Sequence, residues 1–379
     1  MPSLYIHVPF CIQKCDYCAF YSQSLAHSPK NLIAEYLEGL KVEMANRQKD
    51  APQGVSSLFI GGGTPTALPD RDLEQFMAMT QRYFHVDPGA ELTMEGNPGT
   101  ITPSKLAILR QYGINRFSLG VQTFDDSLLK AVGRIHSGLE ARMAIGRLRT
   151  AGFDNISLDL MFGLPTQDMT TWQATVEEAL SYSPEHLSLY GLMLEEGTPL
   201  YERYKEGSDL LPNDDLQAQM HEWAVERLKQ AGYRNYETSN FARPGYECRH
   251  NLGYWRGEDY LGLGPGGVSC LDRVRWKNIE DVRTYQSRLL QEQDPVEEAG
   301  REALSLHECM AERMILGLRL EEGVHLTSFR NDFGADLRDI YKEVLECYKD
   351  RDVLIVRGDY LRLNEKYAFV ANGILSEFV

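Results

Sequence analysis

Cys11-Ile12-Gln13-Lys14-Cys15-Asp16-Tyr17-Cys18 sets three thiols at spacings of four and three, directly behind a strand-like run from Leu4 to Val8. The 379 residues hold only seven Cys, and the other four, Cys248, Cys270, Cys309 and Cys347, are isolated. Thiolates hold iron-sulfur clusters, and a four-iron cluster takes four ligands, so three clustered Cys leave one iron open to another molecule. Zinc is the rival reading: it wants a fourth Cys or His, and His7 and His27 flank the triplet. A disulfide framework fails on parity and on compartment. Met1 to Phe10 lacks a cationic start and Pro9 breaks its short apolar run, so the expectation is a reduced, cytoplasmic protein without a signal peptide. No stretch offers eighteen apolar residues, so no membrane-spanning helix is expected.

Outward from that stretch, short β-rich runs alternate with helical patterns. Strands are predicted at Leu4 to Val8, Ser57 to Gly61, Glu91 to Glu95, Arg116 to Gly120, Ile156 to Leu160 and His186 to Tyr190. Amphipathic helices fall at Leu32 to Ala45, Arg71 to Tyr83, Ser104 to Gln111, Leu139 to Ala151 and Thr170 to Tyr182. Six βα units in series argue a parallel sheet under helices, an α/β fold. Polar residues gather where the strands end, as in barrels, and six strands are too few to close one. The expected architecture is therefore an open, partial (β/α)6 barrel over residues 1–232. A linking region follows over 233–293 and a smaller α+β domain over 294–379, with the boundary near Asp294-Pro295.

In that last third, Glu302 to Leu318 and Asp336 to Lys349 read as helices. Val353 to Arg357 and Tyr360 to Leu363 read as a hairpin around Gly358-Asp359, together a winged-helix-like end. A formal charge of −16 and the absence of a basic stripe argue against a nucleic-acid partner, and a docking or lid module is the better reading of that end.

CxxxCxxC with an aromatic residue before the third Cys resembles the radical SAM superfamily, whose fold is the partial barrel expected here. The resemblance implies a [4Fe-4S] cluster on Cys11, Cys15 and Cys18, with the open iron taking the amino and carboxylate groups of S-adenosylmethionine (SAM), and Tyr17 near its adenine. The run Gly61-Gly62-Gly63-Thr64-Pro65 ends a strand with residues that let backbone approach a ligand, and it lacks the Lys of a P-loop. It is similar to the GGGTP motif of the same proteins.

With YIHVPF, GVQTF and DLMFGLPTQ, the likeness sharpens to the oxygen-independent coproporphyrinogen III dehydrogenase group. By that resemblance the SAM contacts are Tyr5, Gly62, Gly63, Thr64, Glu95, Gln122, Arg134 and Asp159. Glu95 and Asp159 can accept from ribose hydroxyls or an ammonium, and Arg134 can grip a carboxylate. Alternatively, Arg134 pairs with Asp125 or Asp126.

Two departures choose a branch. The dehydrogenases carry a further Cys where Phe20 stands, and an N-terminal extension where only Met1 to Leu4 precede Tyr5. The heme-chaperone branch shares both absences, and His250-Asn251-Leu252-Gly253-Tyr254-Trp255 resembles its HNxxYW signature, with His250 as implied heme ligand. Imidazole is a common axial ligand and the aromatic pair offers a flat apolar wall. Packing is the alternative role for His250, and Cys248 is a rival iron or vinyl ligand. The resemblance implies a protein that binds heme and passes it to an acceptor protein, with an electron donor for the cluster and no assigned catalytic residue. Oxidative decarboxylation of coproporphyrinogen is the alternative function.

Overall fold

The computed structural model describes residues 1–348 and 351–379. Its centre is a run of parallel strands: β1 (Ser3–Val8), β2 (Val55–Gly62), β3 (Val86–Gly96), β4 (Arg116–Gln122), β5 (Ile156–Phe162) and β6 (His186–Gly191). Each neighbour pair is parallel and in sequence order. Parallel neighbours require crossovers, and helices supply them: α1 (Leu32–Arg47), α2 (Asp70–Tyr83), α3 (Pro103–Gln111), α4 (Gly138–Thr150) and α5 (Met169–Ser181). The six predicted strands and five predicted helices all form, most of them a residue or two longer than read.

Alternation along the strands explains the layers. On β4, Phe117, Leu119 and Val121 pack into the main core under the helices. The same strand therefore turns Arg116, Ser118, Gly120 and Gln122 to the other face, the inside of the open barrel. Helix starts are fixed locally: Ser137 with Glu140, and Asp168 with Thr171, form reciprocal caps at α4 and α5.

The region expected to link two domains instead extends the sheet. After α6 (Asp214–Gln230) come β7 (Arg234–Asn235) and β8 (Asn240–Ala242), the latter antiparallel to β6. Helix α7 (Arg249–Trp255) leads into β9 (Tyr260–Leu263), which lies parallel to β1 on its free side. Then β10 (Val268–Leu271), β11 (Val274–Asn278) and, beyond α8 (Val282–Leu290), β12 (Val296–Ala303) add antiparallel strands. The sheet order is β12-β11-β10-β9-β1-β2-β3-β4-β5-β6-β8-β7, twelve strands in all.

Because β12 pairs with β11, the sheet runs past Asp294-Pro295 to Ala303. The helix expected from Glu302 starts only at Leu306 as α9 (Leu306–Gly317), where Ser305 and Glu308 form a capping box. Beyond it, a second core gathers Met314, Leu318, Val324, Phe329 and Leu361. It joins β13 (Val324–His325), α10 (Leu326–Phe333), and the hairpin β14 (Leu354–Arg357) and β15 (Tyr360–Leu363). The helix expected over Asp336 to Lys349 is broken at Tyr341 into α11 (Leu337–Ile340) and α12 (Lys342–Tyr348); Lys349 lies outside the described residues.

Candidate functional site

The cysteine loop leaves the end of β1 and is tied down on both sides. Phe10–Cys11 bridges Gln23–Ser24, the Asp16 N–H donates to the Val132 carbonyl, and Arg203 pairs with Asp16 at 2.8 Å. All three thiols are free; Cys11 is buried and Cys15 and Cys18 are half-buried. Burial raises the Cys11 and Cys18 thiols, while hydrogen bonds hold the rise back. Thr64 Oγ1 donates to Cys11 Sγ at 3.5 Å, and Arg134 Nη1 to Cys15 Sγ at 3.3 Å. Such donors suit thiolates. Among the described residues no three of Cys, His, Asp and Glu form a group that could hold one metal ion. Zinc needs such a convergent set, whereas a cluster takes each thiolate on a separate iron.

The glycine run passes close behind the loop. A Cβ on Gly63 would lie 2.6 Å from the Phe10 carbonyl oxygen, and one on Gly62 would lie 2.5 Å from the His7 ring at a φ of +107°. Both positions exclude side chains, so the backbone itself forms the cradle. Gly62 N–H donates to Glu95 Oε2 at 3.1 Å.

Glu95, Gln122, Arg134 and Asp159 lie at the same end of the barrel interior. Arg134 does not pair with Asp125 or Asp126, which cap neighbouring backbone instead. Its Nη2 donates to Asn97 Oδ1 at 2.7 Å and to the Gly120 carbonyl, and its Nε is buried without a partner. Burial, with Asp159 nearby, pushes the Glu95 carboxyl up to about 7. Burial also raises Asp159, against hydrogen bonds that include one from Ser118 at 3.1 Å to each oxygen. Gln122 is buried at a φ of +66°. A buried donor without an acceptor, two carboxyls and a bare backbone edge fit the anionic and cationic ends of an amino-acid headgroup beside an iron-sulfur cluster. Tyr17 packs on Leu128, Val132, Met161 and Leu164, close enough to Arg134, Cys15 and Asp159 for their charges to act on its hydroxyl.

Beside this site, on the face of β1 that carries Tyr5 and His7, lies a cavity of about 610 Å³, lined by Tyr5, His7, Phe20, Phe59, His250 and Tyr254 among others. Small-molecule and cofactor sites span roughly 300–1,000 Å³. Phe20, 73% exposed, stands at its rim, so the position that departs from the dehydrogenase pattern faces the cavity. Tyr5 stands between the two sites, its hydroxyl 3.0 Å from His7 Nδ1. His250 stacks on Phe59 at 5.1 Å. Its Nδ1 lies 3.0 Å from Ser57 Oγ and its Nε2 3.1 Å from the Tyr254 hydroxyl. Burial, with Arg116 nearby, pushes the imidazole down to about 3, so it is neutral.

Cys248 lies behind the Phe59 wall of this cavity. It is fully buried in a separate cluster with Tyr236 and Ala242, its thiol raised to about 12 by burial, and it donates to Glu91 at 3.3 Å. A glycine loop, Gly264 to Gly267, follows β9. Gly264 sits so near β1 that a Cβ would meet the His7 carbonyl oxygen at 2.5 Å, and Gly266 turns the chain at the cavity edge.

Sequence reasoning missed Asn97, which orients both Arg134 and Thr64, and the buried pair Glu91 and Arg116. Their signal is alternation: Glu91, Thr93 and Glu95 on β3, and Arg116, Ser118, Gly120 and Gln122 on β4, put a polar or small residue at every second position.

A partial parallel barrel with a three-thiol loop on its first strand and a glycine edge on its second defines a radical SAM protein. The Radical SAM superfamily model matches residues 5–179, and the HemN C-terminal domain model matches residues 304–366. The chain is 34% identical to the heme chaperone HemW of Bacillus subtilis (strain 168), over 100% of this chain and 99% of that protein. It is 39% identical to the heme chaperone HemW of Escherichia coli (strain K12), over 76% of this chain and 74% of that one. The solved structure of coproporphyrinogen III oxidase (HemN) from Escherichia coli superposes with a TM-score of 0.86 at 23% identity, covering 100% of this chain and 90% of that one. At that identity the likeness speaks for the fold. The chain belongs to the HemW family within the radical SAM superfamily.

Proposed function

We propose that the protein is a heme chaperone: it binds heme in the cavity beside β1 and delivers it to an acceptor protein, carrying a [4Fe-4S] cluster and SAM in the barrel. The observation that carries this reading is the neutral, stacked imidazole of His250 on the wall of a largely aromatic cavity large enough for a cofactor. A neutral imidazole offers a lone pair to iron without first losing a proton. Ligation through Nε2 displaces the Tyr254 hydroxyl while Ser57 holds Nδ1, the usual arrangement for a metal-bound His.

Cys11, Cys15 and Cys18 hold the cluster in this reading. Gly62, Gly63, Thr64, Glu95, Gln122, Arg134 and Asp159 are the proposed SAM contacts, with Tyr5 and Tyr17 flanking them. The bound group supplies an iron corner for the SAM amino and carboxylate groups and an electron source toward its sulfonium. The chain's part is to bind and orient: Thr64 and Arg134 donate to the thiolates, and Glu95 would accept from the SAM amino group. An electron donor for the cluster belongs to the same proposal, as does a cytoplasmic setting. Among the described residues no helix is long and apolar enough to cross a membrane.

Anaerobically reconstituted protein, titrated with heme and assayed for coproporphyrinogen turnover on one sample, tests this. Stoichiometric heme binding that weakens or changes spectrum in His250→Ala, without porphyrinogen turnover, is the expected result. Turnover with an intact cluster, or heme binding indifferent to His250, overturns it.

A further inference from the structure

Helix α7 has only seven residues, and its N-cap, Cys248, makes no side-chain cap bond of its own. So short a helix does not hold its first turn by itself. The missing acceptor comes from another element. Glu91, only 7% exposed on β3, accepts from the Arg249 N–H at Oε2 (3.1 Å) and from the His250 N–H at Oε1 (3.2 Å), and it also accepts from the Cys248 thiol. Arg116 on β4 lies 4.0 Å from that carboxylate and is itself 2% exposed. A buried carboxylate is tolerated when it is hydrogen-bonded and paired, and both conditions hold here.

Register gives this arrangement its meaning. Ser57 and Glu91 face each other across β2 and β3, and they hold the same residue, Ser57 by the ring of His250 and Glu91 by its backbone. We infer that Glu91 is a positioning residue for His250, fixing the first turn of α7 against the barrel so that the imidazole meets the cavity in one orientation.

A second set of buried contacts runs from the barrel interior to the same turn. Asp159 accepts from Ser157, whose Oγ lies 2.8 Å from His186 Nδ1. His186 Nε2 lies 2.8 Å from the Tyr236 hydroxyl, and that hydroxyl accepts from the Cys248 N–H at 3.2 Å. Glu91 and Tyr236 between them therefore accept from the three successive backbone N–H groups of Cys248, Arg249 and His250 that open the helix.

The inference deepens the heme reading of His250 but is tested apart from it. Full-length, cluster-loaded protein labelled on its histidine rings is compared with Glu91→Gln by NMR of the imidazole and by heme titration. Removing an outer partner of a metal ligand lowers affinity roughly 10–100-fold, and a drop in that range is expected, together with a shifted or broadened His250 ring signal. Loss of general stability alone leaves that ring signal in place. A folded Glu91→Gln protein with the His250 signal unmoved overturns the inference. So does a moved signal with unchanged heme affinity, in protein whose His250→Ala variant does lose heme. If His250→Ala leaves heme binding intact, the heme reading fails, and the ring signal still decides the role of Glu91. Should Glu91→Gln not fold, the double variant Glu91→Gln, Arg116→Met removes both charges together and is read the same way.

Discussion

Arg134 Nη1 lies 3.3 Å from Cys15 Sγ, while its Nη2 bonds Asn97 and the Gly120 carbonyl. One guanidinium thus joins the cysteine loop, the end of β3 and the end of β4, with its Nε still free to donate. Arg134→Ala is expected to weaken SAM binding about 10–100-fold in the reconstituted protein, because it removes a proposed SAM contact together with the donor to Cys15. It also leaves the Asn97 oxygen short of a donor, which costs about 1–3 kcal/mol. Equilibrium dialysis with SAM and a thermal melt check both; unchanged SAM retention removes Arg134 from the site.

Glu95 gives a pH test with a definite sign. Its carboxyl titrates near 7 in the folded chain against roughly 4.3 when unfolded. The folded state keeps a proton that the unfolded chain has lost, so the stability due to this group is present below pH about 4.3 and lost as pH rises through 7. Glu95→Gln should therefore gain on the wild type between pH 5 and pH 8, by about 2–3 kcal/mol at most. An ionised Glu95 accepts from the SAM amino group and a protonated one does not, so wild-type affinity should gain on that of Glu95→Gln as pH rises through 7. Parallel pH profiles for the two proteins count against this placement.

The two partners of the His250 ring predict opposite outcomes. Tyr254→Phe frees Nε2 from a competing hydrogen bond worth about 1 kcal/mol, so heme affinity should rise several-fold. Ser57→Ala removes the Nδ1 partner that orients the ring, so affinity should fall. Heme titrations of both variants settle the matter; equal effects in one direction contradict ligation through Nε2.

Gly63→Ala forces a methyl to within 2.6 Å of the Phe10 carbonyl oxygen, beside Cys11. Backbone cannot yield as a flexible side chain does, so destabilisation above about 2 kcal/mol is expected, together with reduced iron loading. A variant with wild-type melting temperature and full iron content shows that the cradle is looser than the distances imply.

Much of this was legible because the parallel strands are buried on both faces and read as short apolar runs between helical periods, so β1 to β6 emerge from pattern alone. The motif residues at their ends follow, since Cys11, Gly63 and Glu95 sit where strand ends place them. The rest was hidden for physical reasons. Strands β10 to β12 are antiparallel and partly exposed, and their polar sequences look like a linker until β9 is seen parallel to β1. Glu91 and Arg116 are charged residues that ordinarily belong at a surface, and only the fold brings them together inside. Tyr254 and Ser57 are ordinary residues until both are found on one imidazole.

Helix α7 has a second neighbour besides the barrel. Arg256, just past its end, pairs with Glu322 at 2.9 Å, and Arg319 stacks over Trp255 at 5.9 Å, so the C-terminal unit leans on the segment that carries His250. Cutting the chain after Ala303 would therefore do more than shorten it. The aromatic chamber would lose the buttress behind its wall, and a shortened protein that still takes up pigment would say little about how firmly the intact one retains it.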